Sequence, residues 1–188
     1  MTSFHQIIIG LWGVFVAYWA ISAMNAKRNI GGINWRLALV RVGVFVLLLT
    51  ALRFTGARRV WQLATAQTAS PLLGAIGVVL VFLGIGLAIY ARVYLGRNWG
   101  MPMSRKENPE LVTNGPYATV RHPIYSGIIL AMLGSAIGDH VYWTLPLVLS
   151  VPYFIYSARR EEELMLAQFA ERYRDYMRHT KMIVPFVV

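Results

Sequence analysis

Apolar residues in this chain gather in long blocks instead of alternating with polar ones. Phe4 to Met24 runs for 21 residues without an Asp, Glu, Lys or Arg. At 1.5 Å per residue, such a helix crosses the roughly 30 Å hydrocarbon layer of a bilayer. The run lacks the basic leader of a signal peptide, and Met24-Asn25-Ala26 is a poor cleavage site, so it reads as a retained span. Leu37 to Leu52 is shorter and carries Arg41, and Pro71 to Ala91 is uncharged throughout. In that third block, Gly84 and Gly86 would let a neighbouring helix come close. Pro123 to Gly138 and Val141 to Ala158 are parted only by Asp139-His140, which predicts a tight antiparallel hairpin. Pro146 and Pro152 are expected to kink its second arm.

The pattern predicts an all-α polytopic membrane protein. It has about five transmembrane helices, at about 4–24, 36–53, 71–92, 123–138 and 141–158, in a single integral membrane domain covering 1–188. Two polar stretches, 95–122 and 159–188, lie outside these spans. The second continues as a helix with Leu166, Phe169, Tyr173 and Tyr176 on one face, which predicts an amphipathic C-terminal helix.

Composition agrees with a bilayer location. Hydrophobic residues make up 57% of the 188 positions and charged residues 14%, against about 25% charge in a soluble domain. Mean hydropathy is +0.52. With no cysteine in the chain, disulfides, thiolate catalysis and Cys-ligated zinc are excluded, and no cluster with metal-ligand spacing stands out. The net charge of +10 would suit nucleic acid, but topology explains it better. With five spans, 14 of the 18 Lys and Arg fall on the side of the odd loops and the C-terminus, three (Arg53, Arg58, Arg59) fall opposite, and Arg41 lies inside a span. That bias places the N-terminus outside and the C-terminus in the cytoplasm. Seven of the eight acidic residues share the cytoplasmic side, Asp139 being the exception. Polar chemistry is therefore collected at one face.

Within the first polar stretch, Asn114-Gly115-Pro116 is a strong turn signal. Pro123 is suited to a first helical position, with His122 at the mouth of the helix and Tyr125 one turn along. A helix start with unpaired N–H groups favours a carboxylate ligand. Read conservatively, Trp99, Arg121 and Tyr125 are interfacial anchors and His122 caps a loop. The second stretch opens Arg159-Arg160-Glu161-Glu162-Glu163. Its acidic run suits a helix start, but carboxylates this near a membrane call for a cationic partner.

The block LVTNGPYATVRHPIYSG, followed by EEELMLAQFAERYRDY and a closing Pro185-Phe186, resembles the isoprenylcysteine carboxyl methyltransferase family. These are integral membrane enzymes that use S-adenosylmethionine, and phospholipid N-methyltransferases are relatives. The likeness covers roughly residues 90 to 188. It implies S-adenosyl-L-methionine held by Leu111, Val112, Tyr117, His122, Pro123, Ile124, Tyr125 and Glu161, with Glu162 next in line. Glu161 or Glu162 would take the α-amino group, and Arg121, His122 or the helix start would take the carboxylate. Two positions depart from the family. An Arg tied to substrate recognition is Ser157 here, and a Gly after the motif's Phe is Ala170.

The expected activity is carboxyl methylation of an isoprenylcysteine-like molecule. Arg159, Arg160 and Arg41 are the substrate-orienting candidates. The alternatives are phospholipid or amine N-methylation, or thiol S-methylation, on the same fold. A small membrane transporter or scaffold is the non-enzymatic reading. Expected partners are a lipophilic or prenylated substrate and membrane lipids, with neither nucleic acid nor metal.

Overall fold

The computed structural model describes residues 3–24, 70–99 and 110–184. Its main elements are helices α1 (Ser3–Ala23), α2 (Pro71–Leu95), α3 (Pro123–Gly138) and α4 (Thr144–His179), joined in places by short 3-10 turns. No strand occurs among the described residues; the nearest feature is an isolated parallel bridge between Val120 and Lys181. Of the predicted spans, the second lies outside the described residues, as does Arg41. The third begins at Pro71 as expected and the fourth coincides with α3. Ser70 caps α2 by accepting from the Leu73 N–H, and Pro71 fills the first turn, where its missing N–H costs nothing.

Three helices are long and apolar enough to cross a membrane: Phe4–Ala23, Pro71–Leu95 and the long helix starting at Val141, while Pro123–Gly138 is shorter. Many large apolar side chains on α1, α2 and α4 face outward, among them Val14, Val16, Phe82, Leu72 and Val148. In water that surface would be an aggregation hazard; in lipid it is the solvated face.

α1 and α2 run parallel. Phe4 packs at Gly74 near both starts, and Arg92 donates to the Ser22 carbonyl near both ends. α3 returns antiparallel to α2 along a seam of small residues. A Cβ built on Gly84 would meet Ala131 N and Gly127 O at 2.5 Å, and Gly77 abuts Gly138 and Gly134. Backbone thus touches backbone, as dispersion-driven packing in lipid rewards. Gly84 meets its expectation, whereas Gly86 faces open space. Ile8, Val81, Ile85 and Ala131 form the core where the three helices meet.

The hairpin forms as predicted, but its second arm does not stop at the membrane edge. The helical stretch α4 runs from Thr144 past the acidic run to His179, but it is two helices that meet at a kink at Ala170 (φ 43°, ψ −117°). The helical stretch is thus divided at Ala170, with residues 171–179 beyond the kink. After α4 the chain doubles back. The Arg121 N–H donates to the Lys181 carbonyl at 2.8 Å, His122 to Met182 at 3.0 Å, and Lys181 to Thr119 at 3.2 Å. The start of α3 is thereby strapped to the segment that follows α4.

Candidate cofactor pocket

The strap brings two distant stretches together at one end of the bundle. Between them lies a cavity of about 260 Å³, walled by the ends of α1 and α2, the segment 110–112, the start of α3 and the middle of α4. Of the residues expected to hold a cofactor, Leu111, Val112, Tyr117, Arg121, His122, Ile124, Tyr125 and Glu161 line it; Pro123 and Glu162 do not.

One wall is a stack of rings. His122 lies parallel to Tyr125 (centroids 5.6 Å apart, 7° between planes), and Tyr125 to Phe154 (4.6 Å, 13°). The Tyr125 hydroxyl donates to Glu161 Oε1 at 2.6 Å, which fixes the carboxylate on the cavity wall. His122 is gripped by both acids, with Nδ1 3.5 Å from Glu161 Oε2 and Nε2 3.4 Å from Glu162 Oε1. Burial pulls the imidazole toward its neutral form, but the two carboxylates outweigh it and hold its pKa above the ordinary value. His122 Nε2 is nonetheless buried and makes no hydrogen bond.

The two adjacent glutamates have different jobs. Glu161 faces the cavity, while Glu162 is buried behind it. Arg121 donates from Nε to Glu162 Oε1 at 2.6 Å and from Nη1 to the Thr180 carbonyl at 2.5 Å. Arg121 lines the cavity, yet these guanidinium donors are spent on holding α4 and the strap. Ser126 Oγ donates to the Ile183 carbonyl, completing the clasp.

Further wall residues come from inside and outside the quoted motifs. Trp19 comes from α1, Trp99 from the turn after α2, and Met165, Tyr173 and Tyr176 from α4. Tyr173 and Tyr176 belong to the apolar face expected to lie on the bundle; Tyr176 donates to the Tyr117 carbonyl at 2.6 Å. Trp99, read above as an interfacial anchor, sits edge-on to Trp19 at 5.8 Å and under the Arg92 guanidinium at 4.6 Å. Arg92 is almost wholly buried and donates to the Gly96 carbonyl as well as to Ser22. It ties the C-terminal ends of two helices, where a cation is favoured. Asn98 donates to Glu110 at 3.3 Å on the same rim. Only spatial proximity could have found Trp19, Asn98 and Glu110, whereas Met165, Tyr173 and Tyr176 lie within the second quoted motif.

Tyr117 is buried and donates to the Ala91 carbonyl at 3.3 Å. Burial, with Tyr176 and Glu161 adding to it, pushes its pKa well up, so it stays neutral. Arg159 and Arg160 are exposed and do not line the cavity; Arg160 instead pairs with Glu163 at 2.8 Å. Ser157, which stands where the resembling family has an Arg, is fully buried, and its Oγ makes no hydrogen bond. At the opposite end of the bundle, the fold brings His5 beside Asp139 and His140, a grouping the chain order hides.

Comparison with known proteins adds an independent line. The sequence model of a family described as phospholipid methyltransferase matches residues 72–172. The cobalt-zinc-cadmium resistance protein CzcN of Cupriavidus metallidurans is 33% identical over 118 residues, 62% of this chain and 50% of the relative. A protein-S-isoprenylcysteine O-methyltransferase of Schizosaccharomyces pombe is 29% identical over 109 residues, 56% of this chain and 46% of the relative. The chain thus spans about half the length of these curated relatives. A solved structure of the eukaryotic intramembrane Ras methyltransferase ICMT superposes with a TM-score of 0.56 at 20% identity, covering 96% of this chain and 68% of that one. That likeness is one of fold.

Proposed function

The chain belongs to the phospholipid methyltransferase family, and from that membership we propose that it is an integral membrane methyltransferase that uses S-adenosyl-L-methionine to methylate a lipophilic acceptor. The observation that carries this reading is the cavity wall formed by His122, Tyr125 and Glu161, residues of two distant motifs joined at 2.6 to 3.5 Å.

The residues present fit the cofactor. Glu161 offers a carboxylate to an ammonium group. Two N–H groups at the start of α3, those of Ile124 and Tyr125, precede the first helical acceptor bond and suit a carboxylate. Leu111, Val112 and Tyr117 form an apolar slot for a purine. When bound, the sulfonium supplies an electrophilic methyl group, transferred by in-line displacement. The chain's part is alignment and exclusion of water. The ring stack of His122, Tyr125 and Phe154, with Ile128 and Met165 beside it, provides a rigid apolar wall for both.

The acceptor proposed is the carboxylate of an isoprenylcysteine-like molecule. An amine acceptor would have to lose a proton first. His122 is the nearest candidate base, but Glu161 and Glu162 favour its protonated form. An acceptor that is already anionic needs no base. Arg159 and Arg160 are proposed as rim cations that draw such an acceptor toward the cavity, with Arg41 a third candidate. The resistance name of the Cupriavidus relative specifies no reaction and leaves the acceptor class unchanged. The parallel course of α1 and α2 supports one further crossing between them. With the bias of basic residues, it supports the reading that the cavity opens at the cytoplasmic face and the N-terminus lies outside.

The test is transfer of labelled methyl from S-adenosylmethionine by the detergent-purified chain. The acceptors to compare are prenylcysteine analogues, phosphatidylethanolamine and apolar thiols. Alkali-labile label on the prenylcysteine analogue is the expected result. Label on the amine or thiol instead would reassign the acceptor. No transfer together with no stabilisation by the cofactor would end the enzymatic reading.

A further inference from the structure

At the end of the bundle away from the cavity, three side chains from two distant parts of the chain converge. Asp139 follows α3, His140 opens the turn into α4, and His5 comes from the first turn of α1. One potential ligand atom from each can be chosen so that all lie within 4.8 Å of one another. His5 Nδ1 is 2.9 Å from Asp139 Oδ1, and His140 Nδ1 is 2.5 Å from the same oxygen. The Asp139 side chain is fully buried, with His5 14% and His140 11% exposed.

Hydrogen bonds account for His5 and Asp139 but not for His140. His140 Nδ1 is buried yet makes no hydrogen bond, although it sits closer to Asp139 Oδ1 than the 2.7 Å or more of an ordinary N–H···O bond. His140 as a whole is 9% exposed, so water is a poor substitute partner. Two imidazole nitrogens and a carboxylate oxygen thus crowd one point, and a cation ligated by all three would satisfy the His140 Nδ1 that the His5–Asp139 hydrogen bond leaves over.

The surroundings orient these groups as metal ligands are oriented. The outer carboxylate oxygen, Asp139 Oδ2, accepts from Trp143 Nε1 at 3.1 Å, which turns Oδ1 toward the histidines. The His140 ring stacks on Tyr142 (5.0 Å, 25°) and meets His5 edge-on at 5.0 Å. Outer partners of this kind fix ring direction and raise ligand affinity. The two N···O spacings, 2.9 Å and 2.5 Å, fall short of the roughly 3.4 Å edge of a tetrahedron built on bonds of about 2.1 Å, so the ligands would part by up to about 0.9 Å to take an ion.

We propose that His5, Asp139 and His140 form a binding site for a divalent transition-metal ion, with zinc the best-matched occupant. Two nitrogens and one oxygen suit zinc, cobalt or nickel, whereas calcium and magnesium prefer oxygen alone. Bound there, the ion pins the start of α1 to the turn between α3 and α4. α3 holds the site about 24 Å from the cavity, at 1.5 Å per residue, so its role is structural and independent of methyl transfer.

The experiment uses the full chain, purified in detergent without a histidine tag, stripped with a chelator and titrated with zinc sulfate. Bound metal is measured by elemental analysis and stability by thermal unfolding. One equivalent of zinc per chain and a raised Tm are expected. In His140→Ala and Asp139→Asn the zinc Kd should rise more than about 100-fold, beyond the 10–100-fold typical of outer-partner losses. His5→Ala leaves the α3–α4 turn intact and should lose the ion equally, which separates ligand loss from misfolding of the turn. His122→Ala should keep the equivalent. Failure of the stripped protein to take up zinc would overturn the proposal, as would unchanged zinc binding by His5→Ala, or binding that disappears with His122.

Discussion

Arg121 and Glu162, separated by 41 positions in the chain, form an ion pair of 2.6 Å with each side chain only 8% exposed. This pair, with Arg121 also donating to the Thr180 carbonyl, closes the cavity that Glu161 faces. Breaking a buried pair strands a charge and costs about 3–5 kcal/mol. Arg121→Met is expected to lose that much stability with or without a ligand. Glu161→Gln should keep the melting temperature of the unliganded protein. It should also abolish the rise given by S-adenosylmethionine, about 2.7 kcal/mol at 100 times its Kd for an intact site. Thermal unfolding of both variants in detergent checks the division, and equal behaviour would refute it.

His122 sets a pH dependence. Its pKa is raised in the folded protein because Glu161 and Glu162 outweigh the cost of its burial. The folded chain then holds this proton more tightly than the unfolded one. The resulting stability is fully present below the unfolded value of about 6.5 and is lost as pH rises through the higher folded value. Melting temperature should fall across that window in the native sequence and stay flatter in His122→Gln.

The α2–α3 seam predicts a contrast between two neighbouring glycines. Gly84→Ala forces a methyl against the α3 backbone at 2.5 Å, where no side chain can yield. A loss of about 1–3 kcal/mol is expected. Gly86→Ala meets open space and should be neutral or stabilise by up to about 1 kcal/mol through helix propensity. Reversal of that order in thermal unfolding would mean the seam is misplaced.

Ala170 holds a positive φ of 43° with ψ −117°, in a region that favours glycine. The residue is exposed, so a substitution acts on backbone strain alone. Strain of this kind costs of order 1–3 kcal/mol. Ala170→Gly should recover about 1 kcal/mol after the added freedom of the unfolded chain is subtracted. Ala170→Val, with a β-branched side chain at the same dihedrals, should lose stability.

Much of the architecture was legible in the chain because lipid imposes a simple rule. A segment that must satisfy its own backbone in hydrocarbon declares itself by length and apolarity. Hence α3 matches its predicted bounds, and α1 and α2 differ from theirs by no more than a few residues at any end. The separate amphipathic helix was harder to judge. Nothing in the helical pattern marks where the membrane ends, and the non-helical dihedrals fall at Ala170. The pocket was half legible. His122, Tyr125 and Glu161 sit in recognisable motifs, whereas Trp19, Asn98, Glu110 and Phe154 reach the cavity from elements with no signature of their own.

Apolar blocks and small-residue spacing by themselves determined that this chain is a helical membrane protein. Which of two adjacent glutamates faces the cavity and which is locked to Arg121 was decided only by the fold, as was the meeting of His5 with Asp139 and His140. Neighbours on a helix point about 100° apart, and what each then meets depends on helices that come from elsewhere in the chain. Composition and periodicity report what a segment must bury; only the packed backbone settles against what.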